Sequence, residues 1–347
     1  MGAGPDGEGG RQDPALGVLL VNVGTPAAPT PAALRRYLRE FLSDPRVVDL
    51  PRLKWWPILH LFVLPFRPRR SARLYAKIWT GRGSPLLAIS RGQAGVLQEA
   101  LQSAARLPVR VSLGMGYGEP SVRSALRELC ASGCRRILCL PLFPQCASAT
   151  TGSAFDRVTG ALSAYRSVPE LRFVCGYHDD PAYVGALARS VRDFWEREGD
   201  PARLLISFHG LPRRYAELGD PYPEQCRETA RLLAARLGLA DDAWAMAYQS
   251  RFGREEWLRP CTDETLRSWA GGGVEKVDVI CPGFSADCVE TLEEIAITNR
   301  DRFLEAGGKR MRYIPALNDR PDHIRALAGV VLRNLSGWEA QPLREDG

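Results

Sequence analysis

One short stretch ends in residue types able to hold a metal ion and move a proton. Leu204-Leu205-Ile206-Ser207-Phe208 is an apolar run of β type, closed by His209, Gly210, Leu211 and Pro212. Such a run predicts a strand that turns at the rim of a parallel sheet, and open α/β sheets place ligands at the carboxyl ends of their strands. His209 is one of only four histidines. Histidine titrates near neutral pH, which suits two readings: a side chain that handles metal or protons, or a rim histidine bonded to backbone. A second stretch has the same form. Cys281-Pro282-Gly283-Phe284 leaves a strand and turns, and Glu290, Glu293 and Glu294 follow in the first turns of a predicted helix. Acidic residues near a helix N-terminus are favoured by its dipole, which is the plain explanation. Glu290 and Glu294, however, are four apart and share one face. One imidazole and a ladder of carboxylates at one cleft can bind a divalent ion or relay protons.

These residues need a scaffold that brings two strand ends to one edge. Leu16 to Val23 reads as a buried strand ended by Gly24-Thr25-Pro26, and Pro31 to Leu42 as a helix capped by Thr30. Ile89 to Ala105 reads as an amphipathic helix and Val109 to Leu113 as a strand before the glycine cluster Gly114 to Gly118. That cluster lacks the spacing and the acidic partner of a dinucleotide fingerprint. A helix over 121–131, strands over 136–143 and 171–175, and a connecting helix over 181–198 complete the first half. The second half echoes it. Leu204 to Phe208 matches Leu19 to Val23, Ala245 to Gln249 matches Val109 to Leu113, and Val277 to Cys281 resembles Ile137 to Leu140. Met311 to Ile314 supplies a last strand and Asp322 to Leu335 a last helix. The alternation predicts α/β architecture: two similar lobes, each a parallel four-stranded sheet flanked by helices, with the ligand cleft between them. The lobes are expected over 15–180 and 181–337, with tails over 1–14 and 338–347.

The 347 residues suit two domains, and 45% hydrophobic with 25% charged residues is a globular composition. The formal net charge is +6, almost all of the positive charge is arginine, and no basic block is long enough for a nucleic-acid arm. Arginines near a site suit a carboxylate-bearing ligand. Residues 1–14 have no apolar core of a signal peptide, and the apolar stretch Trp55 to Phe66, broken by two prolines and a histidine, is shorter than the roughly 18 residues of a membrane span. The expected location is the cytoplasm. Nine cysteines without zinc-finger spacing read as reduced thiols, the pair Cys130 and Cys134 on one helix among them. The segment 47–79 is unusual. It mixes Trp55, Trp56, Leu59, Phe62, Leu64 and Phe66 with Arg67, Arg69, Arg70 and Arg73, a pattern of a ligand groove or membrane contact as much as of a buried helix pair.

Taken together, Ser207-Phe208-His209-Gly210-Leu211-Pro212 and the run from Pro282-Gly283-Phe284-Ser285-Ala286-Asp287-Cys288 to Glu294 resemble ferrochelatases. Further blocks agree in order: Asn22-Val23-Gly24-Thr25-Pro26, Lys77-Ile78-Trp79 through Gly83-Ser84-Pro85, Pro144-Gln145 through Ser153, and Tyr248-Gln249-Ser250 through Trp257. The resemblance covers 16–335. It implies two Rossmann-like lobes without a nucleotide, and insertion of ferrous iron into a porphyrin. It implies His209 and Glu290 as the metal and catalytic pair, Glu294 as a second carboxylate, Tyr117 near the ring, and Trp55, Trp56, Ser250 and Trp257 as further substrate contacts. Two positions depart from the family's pattern: Gly116 stands where arginine is common, and Cys146 where an aromatic residue is common. No cysteine follows Cys288, so no [2Fe–2S] cluster is expected, and no cofactor beyond the substrate iron.

Val23 beside the first glycine and the apolar lip favour protoporphyrin IX, because relatives acting on coproporphyrin III place tyrosine at that position. The expected partners are the porphyrin, ferrous iron and a peripheral membrane surface. Three other readings stay open at this point: a coproporphyrin III chelatase, a chelatase for another metal or tetrapyrrole such as cobalt with sirohydrochlorin, and a non-catalytic tetrapyrrole or metal carrier.

Overall fold

The computed structural model describes residues 16–338 except 106, 200, 201 and 254. The tail expected over 1–14 lies outside these residues, as does 339–347. Trp338, expected in the second tail, is instead buried: its Nε1 donates to Glu170 Oε1 at 2.6 Å and the Arg172 guanidinium lies 4.1 Å over its ring.

Among the described residues, eight strands form two separate sheets. β1 (Leu16–Gly24), β2 (Val109–Tyr117), β3 (Arg136–Pro141) and β4 (Glu170–Phe173) lie in the order β2-β1-β3-β4. β5 (Arg203–His209), β6 (Trp244–Gln249), β7 (Lys276–Ile280) and β8 (Arg310–Ile314) lie in the order β6-β5-β7-β8. All pairings are parallel. The chain leaves the first strand of each sheet to one side and returns to the other. Each sheet therefore has a topological switch point, between β1 and β3 and between β5 and β7, where such folds bind ligands.

The apolar runs of the strands follow from burial on both faces. On one face of β1, Leu19 and Val21 pack under the helices Val122–Ala131 and Ser153–Leu162. The other face, Leu16, Val18 and Leu20, joins an interior shared with Leu204, Ile206 and Phe208 of β5. The helices Pro85–Ala104, Pro181–Glu198 and Pro321–Asn334 pack on one another within this shared interior. The two sheets thus share one core, and the last helix crosses back onto the first lobe.

Four local features differ from the sequence reading. β2 runs on through the glycine cluster to Tyr117, because a Cβ at Gly114 would lie 2.8 Å from the Val122 backbone. Cys134 lies beyond the helix that ends at Ala131. The Ser/Thr-rich stretch after β3 and the acidic stretch after β7 are both wide π-helical turns, Ser148–Gly152 and Glu290–Asn299. The lip is one helical run, Arg52–Ile58, a π-helical turn Leu59–Val63, and Leu64–Ile78. Pro57 and Pro65 each remove an N–H that an α-helix needs, so the turn between them widens and Leu64 N–H reaches Leu59 O.

Candidate functional site

His209 is the last residue of β5, opposite Gln249 of β6. Its Nδ1 lies 2.7 Å from the Gly210 carbonyl oxygen. A carbonyl only accepts, so Nδ1 donates in this contact and Nε2 is the ring nitrogen left for a metal ion or a proton. Gly210 is required next. A Cβ there would stand 2.9 Å from Gln249 O and 3.1 Å from the Trp257 ring. Leu211 and Pro212 pair with Leu258 and Trp257, which pins the indole behind the histidine.

The carboxylates arrive from the other side of the switch point. The wide turn Glu290–Asn299 follows β7, and Gln249 Nε2 donates to Glu290 O at 2.9 Å. Gln249 Oε1 accepts from Ser207 Oγ at 2.8 Å and Cys281 Sγ at 3.3 Å, so one buried amide ties β5, β6, β7 and the acidic segment together. Glu294 accepts from Ser250 N at 2.7 Å and Ser250 Oγ at 2.5 Å. Ser250 holds φ at +67°, a left-handed conformation that these two bonds stabilise. Burial pushes the Glu294 pKa above the ordinary carboxylate value, and the charge of Glu290 adds to this; the Ser250 bonds and His209 pull the other way without reversing it. His209, Glu290 and Glu294 are therefore electrostatic neighbours.

Glu293 belongs elsewhere. It is buried and paired with Lys77 Nζ of the lip helix at 2.7 Å and Thr298 Oγ1 at 3.0 Å. That pair fastens the lip of the first lobe to the acidic segment of the second. The site thus lies between lobes. Tyr37 is buried and Tyr75 half-buried, and desolvation first, with the charge of Glu290 adding, holds both phenols neutral. Val23 and Phe284 both pack on the cluster of Leu86, Ala286 and Cys288, which spans the two lobes, and the His209 ring is 6.4 Å from that of Phe284.

The other expected contacts take different places. Tyr117 is 2% exposed, so it is built into the wall of the first lobe. Its hydroxyl bonds Asp44 at 2.8 Å and Ser153 at 2.9 Å, and its faces meet Arg157 and Phe41. Ser250 is committed to Glu294. Trp257 is buried under Phe252, ring to ring at 4.9 Å, and Arg67 lies 5.1 Å over Phe252. Trp55 is half-buried and its Nε1 donates to Leu42 O at 2.6 Å, whereas Trp56 is open to solvent. Leu59 and Leu64, expected on the lip surface, point into the core. The lip's exposed apolar residues are Leu53, Trp56, Ile58, Leu61, Phe62 and Phe66. The i, i+3, i+4 spacing of lip residues was compatible with either face; packing on the helix Pro31–Leu42 decided it.

Gln249 and the Arg67–Phe252 pair went unrecognised in the sequence reading. Gln249 had a signal, since it stands at the end of β6 beside the rim. Nothing in the sequence joins Arg67 to Phe252. A groove of about 1360 Å³ on the first lobe is lined by Arg36, Arg39, Arg82, Arg91 and Trp56, but by neither His209 nor Glu290. Among the described residues, no three His, Cys, Asp or Glu side chains converge as a metal centre.

A family model described as Ferrochelatase matches residues 15–335. The ferrochelatase of Thioalkalivibrio sulfidiphilus is 55% identical over 328 residues, 94% of this chain and 89% of that protein. That of Nitrosococcus oceani is 54% identical over 328 residues, with the same coverage. Among solved structures, SirB from Bacillus subtilis with Fe³⁺ superposes with a TM-score of 0.55 at 13% identity, covering 94% of this chain and 98% of that one. This last likeness concerns the fold.

Proposed function

Because the chain belongs to the ferrochelatase family, enzymes of the lyase class, we propose that it inserts ferrous iron into protoporphyrin IX as the final step of haem synthesis. One arrangement carries the reading: His209, with its Nδ1 held against the Gly210 carbonyl, ends β5 at the switch point where its electrostatic neighbours Glu290 and Glu294 stand.

The reaction exchanges two pyrrole N–H protons for Fe²⁺, so the site must receive one ion and dispose of two protons. Nε2 of His209 and the carboxylate of Glu290 hold the ferrous ion beside the ring; as the ion passes to the ring nitrogens, the freed Nε2 lone pair and the Glu290 carboxylate take the two departing pyrrole protons. A closed ligand set would trap the iron; an imidazole and one carboxylate do not. Glu294, buried and raised in pKa, takes protons from the inner pair, and the Ser250 bonds fix it in place. No resident cofactor or iron–sulfur cluster enters this scheme.

The porphyrin is a wide apolar disc with ionised carboxylates on one edge. Val23 and Phe284 give an apolar wall, and burial there contributes roughly 25 cal/mol per Å². Arg67, Arg69, Arg70 and Arg73 on the lip suit the two propionates of protoporphyrin IX or an anionic lipid surface. The exposed apolar residues of the lip favour peripheral contact with a membrane from the cytoplasmic side. No helix among the described residues is long and apolar enough to cross a membrane. Steady-state kinetics with Fe²⁺ and each porphyrin test the assignment. The expected result is a higher kcat/KM for protoporphyrin IX; a clearly higher value for coproporphyrin III would replace the substrate, and no product from either would remove the activity.

A further inference from the structure

We propose that Gln93 is a positioning residue that sets where Glu290 stands relative to the first lobe's rim, through hydrogen bonds that cross from one lobe to the other. This rests on the role given to Glu290 above.

The helix Pro85–Ala104 belongs to the first lobe, yet one of its turns holds both sides of the cleft. Ser90 and Gln93, three residues apart, are both fully buried. Ser90 Oγ accepts from Asn22 Nδ2 at 3.1 Å, and Asn22 Oδ1 accepts from the Val23 N–H at 2.8 Å. The rim of β1 is thereby fixed to this turn. Gln93 Nε2 donates to Ser285 O at 2.8 Å and Asn318 O at 2.9 Å, with Ser285 Oγ at 3.3 Å. All three acceptors belong to the second lobe. Among the described residues Gln93 Oε1 has no partner, so every hydrogen bond of this side chain crosses the lobe boundary.

The contact is relayed to Glu290 in two steps. Asn318, at φ +50°, donates from Nδ2 to Asp287 Oδ2 at 2.8 Å and accepts at Oδ1 from the Asp287 N–H at 2.9 Å. Asp287 Oδ1 accepts from Thr291 Oγ1 at 2.9 Å and from the Tyr313 hydroxyl at 2.6 Å. Asp287 and Thr291 bracket Glu290 in the chain. His323 supports the node from below: its Nδ1 donates to Asn318 O at 2.7 Å, and burial lowers its pKa to about 4, which keeps it neutral. One amide therefore gauges the span between Val23, where the disc's wall stands, and Glu290, where the ion is held.

The test uses the full chain and two substitutions. Gln93→Leu keeps the volume and removes both donated hydrogens. Gln93→Asn keeps the amide and shortens its reach by one methylene. Each is measured for Tm, and for kcat and KM with Fe²⁺ and protoporphyrin IX. For Gln93→Leu the expected result is a kcat lower by about 10²-fold, the effect of roughly 1 Å of misplacement, with KM for the porphyrin within about threefold of the unaltered chain. Gln93→Asn should lose kcat in the same pattern and to a lesser degree. A role in stability alone would lower Tm and leave kcat per folded molecule unchanged, and that result overturns the proposal. If Gln93→Leu does not fold, unaltered kcat in Gln93→Asn overturns it. The unaltered chain assayed alongside separates the two readings: no product from it sinks the activity, whereas product from it and from both variants at equal kcat sinks only the role of Gln93.

Discussion

The rims of the two lobes correspond through matching hydrogen bonds and strand register, and they differ in the side chains placed there. Met115 N–H donates to Pro120 O at 2.6 Å and Tyr248 N–H to Pro260 O at 2.8 Å, so these residues are counterparts. β1 pairs Asn22 with Met115, and β5 pairs Phe208 with Tyr248. Val23 is therefore the counterpart of His209, and Tyr117 that of Ser250, a register one residue on from the match of the apolar runs of β1 and β5 and three residues from that of β2 and β6. In each lobe the second of these bonds the segment after the third strand: Tyr117 OH meets Ser153, and Ser250 meets Glu294. In each lobe that segment contains a π-helical turn. The first lobe fills the scheme with valine and a buried tyrosine and makes a wall. The second fills it with histidine, serine and glutamate, the edge to which the proposed chemistry is assigned. The fold supplies two corresponding crevices, and the side chains at matching positions decide which one brings a histidine and carboxylates to its rim.

The comparison is broken most completely by making the lobes alike. His209→Val gives the second rim the residue of the first. Turnover should fall by more than the ~10²–10⁴-fold typical of one lost general base, because metal holding goes with it. Tm should stay near that of the unaltered chain. Adding Val23→His should not restore activity, since no carboxylate stands in the Ser148–Gly152 turn. Near-normal rates in a folded His209→Val would return the histidine to a backbone-bonded rim residue.

The acidic segment can then be graded. Glu290→Gln keeps shape and removes charge, and should nearly stop turnover. Glu294→Gln should slow it less, because water can replace part of an outer relay. Rapid-mixing rates of product formation in the two variants decide the order, and a larger loss in Glu294→Gln would reverse the path of the protons.

On the first lobe, the two tryptophans of the lip should separate. Trp56→Ser should raise KM for the porphyrin by a few-fold and leave kcat nearly unchanged, because this ring is exposed and far from the metal's partners in sequence and function. Trp55→Ser should also lower stability by about 1 kcal/mol, as Leu42 O loses its donor. Equal Tm values for the two variants would contradict the anchoring of Trp55.

The smallest effect is one of pH. Burial first raises the Glu294 pKa above 4.5 in the folded chain, so the folded state retains a proton that the unfolded state has lost. Stability contributed by this group is present below 4.5 and declines as pH rises toward the folded pKa. Glutamine does not titrate. Glu294→Gln should therefore gain Tm relative to the unaltered chain as pH climbs from 4.5 to neutrality, and a gap that stays constant across that range would refute the shift.

Much of this was legible in the chain itself. The strand ends at Gly24 and His209, the helix Pro31–Leu42 with its Thr30 cap, and the repeat of the two halves follow from apolar runs punctuated by glycine and proline. So does the expectation that His209 and the glutamates share an edge, because parallel sheets put strand ends together. What the lip exposes was not legible. Leu59 and Leu61 are both leucine, two residues apart, yet one is buried and the other is exposed. The widened turn between Pro57 and Pro65 changes which face each residue takes, and only the neighbouring helix settles it.

The sequence by itself determined the local elements, the two-lobe plan and the residue types able to bind iron, since each follows from periodicity, turn residues and side-chain chemistry over a few positions. Tertiary structure alone decided that Glu293 pairs with Lys77, 216 residues away, while Glu294 meets Ser250. It alone made Tyr117 a buried wall and Gln93 a link between lobes. Adjacent glutamates are chemically identical in the chain. They become different groups because burial and partners act through space, and the wide turn after β7 sends one toward the lip helix and the other toward the end of β6.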